Sequence, residues 1–86
     1  MAFLVPKVVV LDRAAAIIEA GLTALEAGEV DFDFSQVEQG DSSLLACLLA
    51  WRRRAGASGA AFRVVAPPAR LRALATLYGV DGFTLN

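Results

Sequence analysis

Hydrophobic and polar positions fall into blocks along this chain, and the period of each block predicts an element. Val8, Val9 and Val10 form a β-branched run between Lys7 and Leu11, which suits a first strand. Pro6 is expected at its start, because a mid-strand proline removes a ladder hydrogen bond. Asp12 follows as the cap of a helix. Ala14, Ile17, Ile18, Gly21, Leu22 and Leu25 recur at helical spacing, and Gly28 stops that stripe. Glu29 to Phe34 alternates, with Val30, Phe32 and Phe34 on one face and Asp31 and Asp33 on the other, so it reads as a second strand. A polar turn comes next. Asp41-Ser42-Ser43 then heads a second helix whose broad apolar face is Leu44, Leu45, Leu48, Leu49 and Trp51. Arg52, Arg53 and Arg54 fall in its last turn, where cations complement the macrodipole. Gly56 and Gly59 bracket a loop, and Phe62 to Ala66 is a third strand. Pro67 and Pro68 suit the first turn of a third helix. Leu71, Leu74 and Tyr78 mark its buried face, Gly79 ends it, and Val80 to Leu85 reads as a short edge strand. The order β-α-β-α-β-α-(β) predicts an α/β domain over residues 1–86, with a mostly parallel sheet and right-handed crossovers.

Composition narrows the function. Of the 86 residues, 57% are hydrophobic and 20% charged, against about 45–50% apolar in an average domain. The excess fills a dense core, leaves an apolar patch for a partner, or does some of each. A net charge of −1 gives no electrostatic case for nucleic acid. A single cysteine, Cys47, excludes an intrachain disulfide and fits a reducing compartment. No apolar run reaches the roughly 18 residues of a membrane span, and no signal peptide is legible, so the expected location is the cytoplasm.

Candidate chemistry is sparse. Asp31 and Asp33 as a catalytic pair would lack a proton partner, because the chain has no histidine; a solvated strand face is the plainer reading. Cys47 reads as a core thiol, with nothing nearby to lower its pKa. Trp51 reads as core, with a binding anchor at the rim as the alternative. Arg52 to Arg54 read as a solvated helix end, with an acidic partner or a phosphate as the alternative. There is no glycine-rich phosphate loop and no metal-ligand spacing, so neither cofactor nor metal is expected. Asp41, Ser42 and Ser43 carry two readings. As caps they stabilise a helix start by about 1 kcal/mol. As a switch, Ser43 or Ser42 takes a phosphate, which adds about −1.5 to −2 charges where free N–H groups tolerate it locally while an acidic or apolar partner is repelled.

The middle segment resembles the STAS family (sulfate transporter and anti-sigma factor antagonist domains). Asp33-Phe34-Ser35-Gln36-Val37 and then Asp41-Ser42-Ser43 before the Leu44–Leu49 run are similar to the family's D-L-S-x-V strand end and D-S/T-S/G-G-L helix start. Val64-Val65-Ala66-Pro67-Pro68, through Leu71 to Leu77-Tyr78-Gly79-Val80, is similar to the ending of the MlaB-like branch. The resemblance spans about residues 8–85. Gly40 stands where the family has an apolar residue, and Leu44 where it has glycine. Many STAS domains begin with a hairpin; here one strand precedes the first helix, leaving a sheet edge for residues 1–6 or a partner to cover.

The resemblance implies a small STAS-type domain of about four strands, with helices mainly on one face. It implies a non-catalytic protein-binding module. The leading expectation is an MlaB-like accessory subunit docking on the ATPase of a phospholipid-trafficking ABC transporter, which brings it to a membrane only through that complex. The alternative is an anti-sigma factor antagonist whose partner is a serine kinase. The implied docking residues are Gln39, Asp41, Ser42, Ser43 and Leu44. Ser43 matches the serine phosphorylated in antagonists, and Ser42 matches the hydroxyl at the partner contact in the MlaB-like branch.

Overall fold

A computed structural model describes residues 2–79. Its strands are β1 (Ala2–Leu4), β2 (Val8–Val9), β3 (Asp31–Asp33), β4 (Gln39–Gly40) and β5 (Arg63–Val65). Its helices are α1 (Leu11–Glu26), α2 (Ser43–Ser58) and α3 (Ala69–Leu77). β1, β3 and β5 form a parallel sheet in that order, and β2 and β4 form a separate parallel pair. The expected first strand at Val8 is therefore the shorter ribbon. The main sheet begins at Ala2, and the edge expected to be covered by residues 1–6 is β1 itself. Pro6 separates the two strands rather than opening one. The expected edge strand Val80 to Leu85 lies outside the described residues.

Strand alternation decides which face the helices cover. Register places Phe3 beside Phe32 and Phe32 beside Val64. That face packs with Val5, Phe34, Leu44, Leu48, Trp51 and Leu71 into one core. The opposite face carries Leu4, Asp31, Asp33, Arg63 and Val65. There Arg63 Nε and Nη2 donate to Asp31 at 2.7 and 3.0 Å. The guanidinium bond holds the Asp31 carboxyl below its usual range. Asp33 accepts the Ser35 backbone N–H at 2.8 Å. Both aspartates thus serve the solvated strand face.

Each helix follows from its own pattern, with one correction apiece. Ala14, Ile17 and Gly21 of α1 are buried as the stripe predicts. Asp12 does not cap α1: the N-cap is Val10, and no side chain of that helix closes its start. α2 runs through Gly56 and stops at Gly59, whose φ of 71° is the left-handed conformation glycine adopts freely. Ala60 N–H closes the end on the Ala55 carbonyl at 2.9 Å. Arg52 to Arg54 therefore lie inside α2, not in its last turn. In α3, Leu71 and Ala75 are buried and Leu74 is half-buried. Tyr78 departs from expectation: the helix ends at Leu77, and the ring is 60% exposed.

Trp51 joins the layers. It is fully buried and meets the Phe3, Phe32 and Phe34 rings at centroid distances of 5.6, 5.0 and 6.3 Å. Its Nε1–H donates to the Ile18 carbonyl of α1 at 3.0 Å. A Cβ on Gly21 would run into the indole, so this close approach requires glycine. Gly21→Ala should cost about 1–3 kcal/mol or more by overpacking. Gly56→Ala, a helical site with open space around it, should gain about 0.5–1 kcal/mol. Urea unfolding of the two variants checks the contrast; equal midpoints would remove the Trp51–Gly21 contact from the account.

Candidate functional site

The turn that starts α2 is built on one carboxylate. Asp41 Oδ1 accepts the Ser43 backbone N–H at 2.8 Å, and Oδ2 accepts the Leu11 N–H at 3.2 Å. A single side chain thus closes the starts of both α1 and α2. The backbone is pinned as well. Asp41 N–H donates to Val9 O at 3.2 Å, and Leu44 N–H donates to Asp41 O at 3.0 Å. Upstream, Glu38 and Gln39 both donate their N–H to Lys7 O, at 2.8 and 3.0 Å. Hydrogen bonding from the Ser43 N–H, then from its hydroxyl, outweighs partial desolvation. Together with the Leu11 N–H it holds the Asp41 carboxyl below the usual carboxylate range.

This geometry separates residues that the sequence placed together. Ser42 is exposed, whereas Ser43 is 4% exposed with its backbone N–H held by Asp41. Of the two candidate phosphoacceptors, only Ser42 is therefore open to solvent. Leu44 is 1% exposed, so its side chain is a core group and not a contact surface. The reason lies next to it: a Cβ on Gly40 would collide with the Leu44 side chain. The two departures from the family pattern compensate each other, since leucine at 44 fills the space that glycine at 40 vacates. Gln39 is exposed in β4. Cys47 is buried, and burial followed by the Asp41 charge pushes its thiol up to about 11. It is an inert core thiol at neutral pH.

Residues that the pattern assigned to buried helix faces complete the surface around Ser42. A cleft of about 310 Å³ opens between α2 and the end of α3, lined by Ser42, Leu45, Ala46, Leu49 and Tyr78. The preceding residue of α3, Leu77, is 73% exposed and lines a separate cleft with Arg70, Ala73 and Leu74. Apart from the Ser42 hydroxyl and the Tyr78 phenol, the lining is hydrocarbon. The sequence signal for Tyr78 was its place one residue before Gly79, where a helical stripe has ended and a side chain no longer follows its face. Among the described residues, no cluster of histidine, cysteine or carboxylates could hold a metal ion. No helix there is long and apolar enough to cross a membrane.

Two outcomes test this construction. Asp41 is more acidic folded than unfolded, so its stabilisation is present above about pH 4 and fades as pH falls through the lowered folded value. Asp41→Asn should be less stable at pH 7 and lose less on acidification to pH 3. Denaturant melts across that range read the difference; a variant whose acid loss overlays wild type would assign the effect to Asp31 instead. Gly40→Ala and Leu44→Ala should be coupled. The first overpacks and the second empties the same space, so the double variant should lose about 0.5–3 kcal/mol less than the sum of the singles. Strict additivity would show that the two positions do not share a volume.

No curated protein matches the chain. The family model described as "Mlab, STAS domain" matches residues 8–85. STAS domains generally mediate protein–protein interaction and are generally non-catalytic, as befits a turn held by hydrogen bonds beside an apolar cleft. With that match covering nearly the whole chain, and with parallel strands, one helical layer and the aspartate-serine start of α2 in place, the chain belongs to the MlaB-like branch of the STAS family.

Proposed function

We propose that the chain is an accessory, regulatory subunit that docks on the ATPase of a phospholipid-trafficking ABC transporter, on the cytoplasmic side of the membrane. The observation that carries this reading is the exposed Ser42 hydroxyl on the rim of an apolar cleft, within a fold of the MlaB-like branch. Ser42, Gln39, Leu49 and Tyr78 supply the contact surface. Asp41, Ser43 and Leu44 act indirectly, by fixing the turn that presents Ser42.

The serine pair favours a second reading, an anti-sigma factor antagonist switched by a kinase. Its phosphoacceptor would match Ser43, which is buried and held by Asp41, so phosphorylation there requires the turn to open. Ser42 needs no such opening. A phosphate on Ser42 would place about −1.5 to −2 charges beside Asp41 and in the apolar cleft, and would block docking under either reading.

Co-expression with the transporter ATPase should yield a one-to-one complex. Ser42→Glu should weaken it at least tenfold. The same change should move the melting temperature by less than about 4–8 °C, the shift that 1 kcal/mol produces in a domain of this size. Recovery of a kinase-type anti-sigma factor in place of the ATPase would promote the second reading. Unchanged affinity for Ser42→Glu would place the interface elsewhere.

A further inference from the structure

A second cleft lies on the other side of α2. It measures about 340 Å³ and is lined by Leu22 of α1 and by Ala50, Arg53, Arg54 and Ala57 of α2. Ala46, which lines the first cleft, is followed four residues later by Ala50 and three after that by Arg53. Residues at that spacing share one helix face. The two clefts therefore flank a single outer face of α2. From Ala46 to Arg53 they are staggered by roughly 11 Å, at about 1.5 Å per residue.

Their chemistry differs. The first is apolar and walled by Leu49 and Tyr78. The second presents guanidinium groups over an aliphatic floor. Arg53 has no ion-pair partner among the described residues. Arg54 reaches Glu26 at 3.8 Å with both side chains more than half exposed, a pairing of little strength that a better partner displaces. Arginine over apolar surface is complementary to a carboxylate, which it binds in bidentate fashion.

We infer that this face of α2 receives one amphipathic helix of the partner. An aliphatic or aromatic side chain of that helix enters the first cleft over Ala46 and beside Tyr78, and a carboxylate about seven residues away pairs with Arg53 and Arg54. The inference rests on the docking reading above and gives the partner's chemistry. Two helical turns separate residues i and i+7, which matches the stagger of the clefts. A phosphate-rich partner would satisfy the arginines and leave the apolar cleft unfilled. A purely apolar one would do the reverse.

The test is selection of a phage-displayed library of 16-residue peptides on the full chain. Enriched peptides should carry an apolar residue and an aspartate or glutamate seven positions apart. Their affinity should fall at least tenfold on Arg53→Glu and on Tyr78→Ser. Both sites are exposed, so the variants keep the fold, which circular dichroism verifies. Arg72→Glu on α3 lines neither cleft and should change nothing. Replacing the peptide's acid by lysine should restore binding to Arg53→Glu. Absence of enriched peptides, peptides lacking the acid, or equal binding to Arg53→Glu would each overturn the inference. So would concentration-dependent dimerisation abolished by Arg53→Glu, which would assign the face to a second copy. The ATPase complex separates the two levels. Loss with Ser42→Glu but not with Arg53→Glu sinks the helix alone, whereas no loss with Ser42→Glu sinks the docking reading itself.

Discussion

The rest of the structure depends on the fit of one indole over one glycine. Trp51 has no room unless Gly21 lacks a side chain. Once seated, it donates its N–H to Ile18 of the same helix and touches the rings of Phe3, Phe32 and Phe34 on the sheet. α1, α2 and the sheet are therefore set against each other at one point. A buried indole N–H without a partner would cost about 1–3 kcal/mol, so the bond to Ile18 fixes the rotation of α2 as well as its distance. That rotation decides which residues of α2 face inward. Leu44, Leu48 and Ala55 turn to the core with Trp51, while Ser42, Ala46 and Arg53 turn outward.

The position of α1 reaches the turn at the start of α2 through Asp41. Its carboxylate spans the Leu11 N–H of α1 and the Ser43 N–H of α2. The start of α2 is consequently no independent loop: moving α1 pulls on the turn that presents Ser42. Asp41 also alters how a phosphate would act there. An empty helix start attracts an anion, but here the Asp41 carboxylate already takes the Ser43 N–H, and the next N–H groups donate to the Asp41 and Ser42 carbonyls. A phosphate on Ser42 would meet a negative charge in place, so its effect is repulsion and competition rather than capping.

Much of this was legible in the sequence wherever a period ran long enough. The α1 stripe and the Phe32–Phe34 alternation came out as read, because burial on one face imposes spacings of 3.6 and 2. β1 was not legible. Three residues with one inward ring, Phe3, carry no periodic signal, whereas the β-branched run at Val8 does and belongs to a two-residue ribbon. α2 outran its predicted end because Gly56, an alanine-like position in open space, does not break a helix that Gly59 caps. At the candidate site, the sequence placed Asp41, Ser42 and Ser43 at the start of α2, where the structure has them. Leu44 fell on the predicted apolar face and is buried, whereas the burial of Ser43, one residue before that face and held by the Asp41 carboxylate, carried no periodic signal.

The hydrophobic excess of the composition then finds its explanation in position rather than amount. Leu4 and Val65 are exposed on the solvated sheet face beside the Asp31–Arg63 pair, as scattered apolar residues commonly are. Tyr78 differs, because it shares a cleft with Leu45, Ala46 and Leu49 around Ser42. A hydroxyl in such a setting is a graded element. Buried against a partner it costs about 1–3 kcal/mol if left unpaired, and little if it finds one bond. An ion at the same place costs several kcal/mol more to desolvate. Under the proposed docking, the same atom would permit association when bare and oppose it when charged, without any change in the core that Trp51 holds together.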